Sequence, residues 1–307
     1  MTITNRQRDR HHLNLGSSDM AAILGASPYR SGLDVYLAKV QQAAPGVASQ
    51  AMIAGTVFED GLIEVAQSGG DGIEALGRID KRGGELRVKG TPILDHPDGV
   101  LLPQKEPVDA KVSGLFGPLP EGWGDSGTDQ VPPDVYIQAQ VHLAARPDAE
   151  HCHIVAFLGG RGFIWYHIPR HGGWIDTLKV EACRFWADHV EPQVPPDGVA
   201  SMDTLKRLRR VPNKTVDISP DHMRAYAAAR LDRLEAEKTE KAHLQQIISS
   251  MGDAEAGDAG DAGVMTYMET VRKGYTVKDS VYRTPRIKKP AKQLTKGPDQ
   301  NDPITTD

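Results

Sequence analysis

Apolar and polar positions follow three different rhythms along the 307-residue chain. Up to about residue 67 the apolar positions recur at helical spacing. Ser17 or Ser18 caps a short expected helix from about 19 to 24, with Asp19 in its first turn and Gly25 as its stop. A second helix is expected to start near Ser31, with Asp34 three residues on as a capping box and Leu33, Val35, Tyr36, Leu37 and Val40 on one buried face. A third, about 51 to 67, has Ile53, Val57, Leu62, Ile63 and Val65 as its apolar positions and ends at SGGDG. From 73 to 112 the rhythm shortens to β-like runs, IEALGRI, ELRVKG, TPIL, GVLL and PVDAKV, which read as antiparallel strands. The stretch from Ser113 to Asp134 is Gly- and Pro-rich with Leu115, Phe116 and Trp123 embedded; a loop of that length is functional or counts against the assignment. A helix (about 134 to 146), two strands (IVAFLG and FIWYHI) and an amphipathic helix (about 173 to 189) complete an α+β unit ending near Pro195 and Pro196.

Beyond that point the composition changes. KRLRR at 206–210 precedes a long polar helix, about 220 to 251, in which Met223, Ala227, Leu231 and Leu234 give a partial heptad seam that Lys238 and Lys241 interrupt. GDAEAGDAGDAG at 252–263 reads as low-complexity linker. The segment 264–296 alternates well enough for a hairpin and is strongly basic; it binds product single strand, docks a partner, or is merely solvated. The expected plan is therefore a basic disordered arm (1–14), an α+β domain (15–196), a linker with the long helix (197–251), a Gly/Ala/Asp linker (252–263), and a basic β-like segment with a disordered tail (264–307).

Composition narrows the class. With 39% hydrophobic and 25% charged residues the chain reads as an ordinary soluble protein of one or two domains. Two cysteines build neither a disulfide framework nor a Cys-rich zinc site, and no window has the apolar length of a membrane span, so a cytoplasmic protein without membrane contact is expected. The net charge of −5 argues against a polyanionic partner, but it sums unlike parts: a basic arm, KRLRR and a basic tail against an acidic linker and a polar helix.

The candidate chemistry lies in PILDHPDGVLLPQKEPVDAKVSG. On a strand, Asp109 and Lys111 share one face while Val108, Ala110 and Val112 share the other. Asp98, just before GVLL, falls on the partner strand of a hairpin and points into the same pocket. Two carboxylates that close repel unless a divalent cation lies between them, and such oxygen ligands suit Mg²⁺ or Mn²⁺. A lysine beside that ion orients a water or balances charge on a phosphate. His151, Cys152 and His153 have no second pair at zinc spacing and read as structural, and Gly159, Gly160 and Gly162 read as a hairpin turn. No G-x-x-x-x-G-K-[ST] motif is present, so no nucleotide cofactor is expected.

Taken together, PD, a ten-residue gap and D-x-K with an apolar back resemble the PD-(D/E)xK nuclease superfamily. The ordered segments GSSDMAAILGASPYRSGLDVYL, GTVFEDGLIE, HPDGVLL, VDAKVSG, a long loop with Trp123, and VPPDVYIQAQVHLAA resemble the YqaJ-like viral recombinase family, the phage lambda-type exonucleases, over about residues 10 to 190. The resemblance implies a restriction-endonuclease-like α+β core, a mixed central sheet flanked by helices, with a C-terminal helical and small β extension. It implies a Mg²⁺-dependent 5′-to-3′ exonuclease on linear double-stranded DNA that leaves 3′ single strands for phage-type recombination in the host cytoplasm. Site roles follow position by position: Asp98 and Asp109 hold metal, Ala110 adds its carbonyl, Glu59 supports a second ion, and Lys111 and Gln138 place the water, with Gln140 as the alternative to Gln138. Asp109 stands where the family has Glu. For DNA it implies Ser18 and Asp19 near a 5′ phosphate, against a mere helix cap; beside it, Arg30 in SPYRS reads as a phosphate cation or as a solvated surface arginine, and Trp123 as stacking on a base or covering the sheet. It further implies two ions per site, a trimeric or tetrameric ring and a single-strand annealing partner. A nicking or structure-specific endonuclease and a catalytically weak DNA-end-binding scaffold are the alternatives.

Overall fold

The computed structural model describes residues 12–44, 46–70, 74–81 and 84–269. The basic arm and most of the basic C-terminal segment fall outside these residues. Two compact units divide at Arg210 and Val211.

The first unit is α+β. Its helices are α1 (Ser17–Ile23), α2 (Gly32–Lys39), α3 (Gln50–Ser68), α4 (Pro133–Ala145), α5 (Gly172–Phe185, continued by a π turn Trp186–Val190) and α6 (Met202–Arg207). Its strands are β1 (Ile79–Asp80), β2 (Leu86–Arg87), β3 (Leu94–Asp95), β4 (Gly99–Leu101), β5 (Glu106–Ser113), β6 (His151–Leu158) and β7 (Gly162–Pro169). The central sheet runs β1-β4-β5-β6-β7 and is mixed: only β5 and β6 are parallel, and β2 with β3 forms a separate ribbon. A parallel pair needs a crossover, and α4 supplies it. The β-like runs expected over 73–94 shrink to two-residue strands, because Pro, Gly and charged residues leave little apolar alternation to bury.

Alternation on β5 and β6 separates two cores. Ile154, Ala156 and Leu158 join the larger cluster with α1, α2, α4 and α5; Val108, Val155 and Trp165 join Leu62, Ile63 and Ala66 of α3 on the other face. Each of the larger apolar side chains so buried contributes about 1.5–3 kcal/mol. Register places Asp109 opposite Ile154 and Lys111 opposite Ala156, so both point to the α4 face.

Helix starts follow local chemistry. Ser31 caps α2, and Asp34 returns the bond, as expected from sequence. For α1 the expectation fails: Gly16 is the N-cap and Asp19 accepts its N–H at 3.0 Å, leaving Ser17 and Ser18 inside the helix. The unit also continues past the Pro pair at 195–196. α6 is tied in by Ser201, whose N–H and hydroxyl both donate to Asp34 Oδ1 at 2.9 Å, and by the Ala44 N–H donating to the Arg207 carbonyl.

The long segment 114–132 covers the free edge of β7. Gly127 N–H donates to the Trp165 carbonyl, and His167 N–H donates to that of Thr128. An edge strand is thereby closed. Gly159 sits where a Cβ would lie 2.1 Å from the Gly114 carbonyl oxygen, so only glycine fits.

The second unit holds α7 (Pro220–Met251), capped by Ser219, and a hairpin of β8 (Ala256–Asp258) and β9 (Val264–Thr266) around a 3₁₀ turn (Gly260–Ala262). β8 and the turn lie inside the stretch expected to be linker, which is a correction: GDAG forms a tight turn that lets AGD pair with VMT. Among the described residues no helix is long and apolar enough to cross a membrane.

Candidate active site

Three elements bring the chemistry together. β4 and β5 form the expected antiparallel hairpin, with Gly99 opposite Val108, and this carries Asp98 to β5. Asp98 Oδ2 accepts the Ala110 N–H at 2.8 Å. Lys111 Nζ lies against Asp109 Oδ2 and donates to Gln138 Oε1 at 3.1 Å. Gln138 comes from α4, the crossover helix laid over this face. Gln140, two residues on, bonds instead to the Pro169 carbonyl and the His171 N–H and is fully buried. Gln138 is therefore the glutamine at the lysine, and Gln140 is structural.

Behind these lies a layer the sequence did not suggest. Asp95, at the end of β3, is wholly buried and accepts from His142 Nδ1 at 2.7 Å and from Arg146 Nη1 at 2.7 Å. Arg146 also donates to the Gly84 carbonyl. His142 Nε2 points at Asp109 Oδ2 from 3.8 Å, beyond hydrogen-bond reach, and both atoms are buried. The available signal was spacing: Gln138 and His142 are four apart and share one helix face.

The electrostatics follow from the layout. Burial and then the charge of Asp109 push the Asp98 carboxyl up to about 7, against the opposing pull of Lys111 and the Ala110 N–H. Burial also disfavours charge on Asp109, but Lys111 and His142 outweigh it and hold its carboxyl well below the usual range. Burial opposes charge on His142, yet Asp95 and Asp109 raise it to about 10, so the ring is an imidazolium. Lys111 is raised in the same way, burial being outweighed by Asp109 and Asp98.

These oxygens fit one hard cation. Mg²⁺ commonly takes one or two carboxylates and completes its shell with water and substrate phosphate. Burial first and the charge of Asp109 second disfavour a negative charge on Asp98, and a divalent charge between the two carboxylates would relieve both. A larger cage is not formed: among the described residues no three His, Cys, Asp or Glu side chains are gathered to hold a metal. Glu59 is half-buried on α3, which packs on the opposite face from Asp109 and Lys111, and it joins no such cluster. At Ala110 it is the N–H that the structure places on Asp98.

The remaining expected residues lie elsewhere. Asp19 is buried, bound to Gly16, Arg30 and Lys39, so its carboxylate faces protein cations rather than a ligand. Ser18 is exposed on α1. Arg30, paired to Asp19 at 3.0 Å, lines a cavity of about 440 Å³ with Arg184 and His189. Trp123 packs on Tyr166, ring centroids 5.4 Å apart, against the main core, and so covers the sheet. His151 and His153 hold Glu106, and His153 meets His167, which is the structural role expected of them.

No family model matches the chain, and no curated protein matches it. Among solved structures it is similar to an alkaline exonuclease from Laribacter hongkongensis, at 14% identity over 62% of this chain and 94% of that one, with a TM-score of 0.45. It is also similar to a phage-related exonuclease from Haemophilus somnus 129PT, at 12% identity over 59% and 96% of the two chains, with a TM-score of 0.43.

Proposed function

We propose that the chain is a metal-dependent deoxyribonuclease that degrades linear double-stranded DNA from its 5′ ends and leaves 3′ single strands. The observation that carries the hydrolytic part is the group of Asp98, Asp109 and Lys111 on one sheet face, Asp109 buried and the other two partly exposed, with Gln138 holding the lysine. Asp98 and Asp109 would hold the ion, Mg²⁺ or Mn²⁺, which when bound supplies Lewis-acid activation of phosphate and water. Lys111 places a positive charge beside the pair, where its Nζ donates toward a phosphate oxygen or an incoming water. Gln138 fixes that ammonium, and the apolar backing of Val108, Ala110 and Val112 keeps the strand rigid beneath it.

DNA as substrate, 5′-to-3′ direction, a second ion supported by Glu59, a trimeric or tetrameric ring and a single-strand annealing partner rest on the ordered motifs of the YqaJ-like family. Arg30, in its cavity, is the phosphate cation of this reading. Purified full-length protein, incubated with 5′-labelled linear duplex and with covalently closed circles in Mg²⁺, tests it. Loss of label from the linear DNA with intact circles is expected; cleaved circles indicate an endonuclease, and unaltered linear DNA refutes hydrolysis.

A further inference from the structure

Asp109 has two oxygens, and the fold treats them differently. Oδ2 faces inward, against Lys111 Nζ and toward His142 Nε2 at 3.8 Å; Asp98, just before β4, approaches the same carboxylate. His142 is 2% exposed, and Asp95, wholly buried and braced by Arg146, fixes its ring through Nδ1. With both flanking groups carboxylates, each ring nitrogen can only donate. α4 therefore reaches the acid–lysine pair at two points one turn apart: Gln138 on Lys111 and His142 on Asp109. The His142–Asp109 gap is the loose point: His142 Nε2 is buried without a hydrogen-bond partner, and Asp109 Oδ2 is met only by the Lys111 ammonium. Such contacts are often long in the unliganded state and shorten when the site is filled.

We infer that His142, backed by Asp95 and Arg146, is a positioning residue for Asp109: its Nε2–H closes on Oδ2 when the site takes a divalent cation, leaving Oδ1 for the ion. The inference rests on the metal-dependent reading above. Outer partners that orient a ligand in this way are worth about 10- to 100-fold in metal affinity.

The test measures Mn²⁺ binding to the full chain by calorimetry, without DNA. His142→Leu is expected to lose more than about tenfold in affinity, and His142→Gln, whose amide reaches the Nε2 position, to stay within about threefold of wild type. A His142→Leu protein that binds Mn²⁺ as wild type does, while Asp109→Asn does not bind, overturns this inference and leaves the hydrolase reading intact. Wild-type protein that binds no Mn²⁺ overturns both. Should the leucine protein not fold, ¹⁵N-imidazole NMR of wild type decides: Mg²⁺ moves the His142 Nε2–H resonance downfield if the bond closes. An unmoved resonance at Mg²⁺ concentrations that shift Lys111 overturns it.

Discussion

Removing the charge of Asp98 should stabilise the metal-free protein, and should do so increasingly as pH rises. The carboxyl titrates near 7 in the folded chain against a usual value of 3.8. A group raised in this way adds stability that is complete below pH 4 and is lost as pH rises through 7. At 1.36 kcal/mol per pKa unit, linkage puts the loss at about 2 kcal/mol at pH 5 and about 4 at pH 8. Asp98 is partly exposed, and relaxation softens such penalties, so about 1–2 kcal/mol of the difference is expected to survive. Asp98→Asn keeps the shape, keeps an oxygen for the Ala110 N–H, and presents an amide to Asp109 in place of a second negative charge. All four tryptophans lie in the first unit, so their fluorescence in urea, with EDTA present, reports its unfolding directly. The asparagine protein should be more stable than wild type at pH 8, and its advantage should be about 1–2 kcal/mol larger there than at pH 5. An advantage that is absent, or equal at the two pH values, refutes the reading that burial and the neighbouring Asp109 disfavour charge on Asp98.

Other outcomes follow from the same layout. Lys111→Met should lower the hydrolysis rate by about 10²–10⁴, measured at saturating substrate, while leaving the far-UV spectrum unaltered. Gln138→Ala should reduce kcat, whereas Gln140→Ala, which removes bonds to Pro169 and His171, should instead lower the urea midpoint by an amount equivalent to about 1–3 kcal/mol. Asp19→Ala strands Lys39 in a buried setting and should cost about 3–5 kcal/mol. In wild type, burial opposes the Asp19 charge but Lys39 and Arg30 outweigh it and hold the carboxyl at about 2; that stability is present above pH 4 and is lost as pH falls toward 2.

The hairpin of β4 and β5 was legible because alternation states which side chains share a face, and the acid–lysine pair with its apolar back is a direct consequence of period two. The helix that covers it was legible too, but not what it carries. α4 buries nine of its 13 residues, Gln140 among them, so its pattern names no single face, and His142 looks like one more core position. Asp95 sits at the end of a two-residue strand, where no periodicity operates. Its importance comes from Arg146 and His142, forty-seven and more residues away, which only the fold brings near. Ser17 and Ser18 mislead for a different reason. Capping chemistry favours Ser, but here Asp19 already satisfies the Gly16 N–H and is itself claimed by two cations. The loop at 114–132 carries no strand signal because its pairing with β7 is irregular and made through Gly127 and Thr128.

The most direct measurement is the release of nucleotides from 5′-labelled linear duplex DNA by the full chain, with Mg²⁺, with EDTA, and with Asp109→Asn in Mg²⁺. Product should appear with wild type in Mg²⁺ and in neither of the other two reactions. Equal release in EDTA, or full activity in the Asp109→Asn protein, would contradict the assignment of the Asp98–Asp109 carboxylate pair as a metal-dependent hydrolytic site.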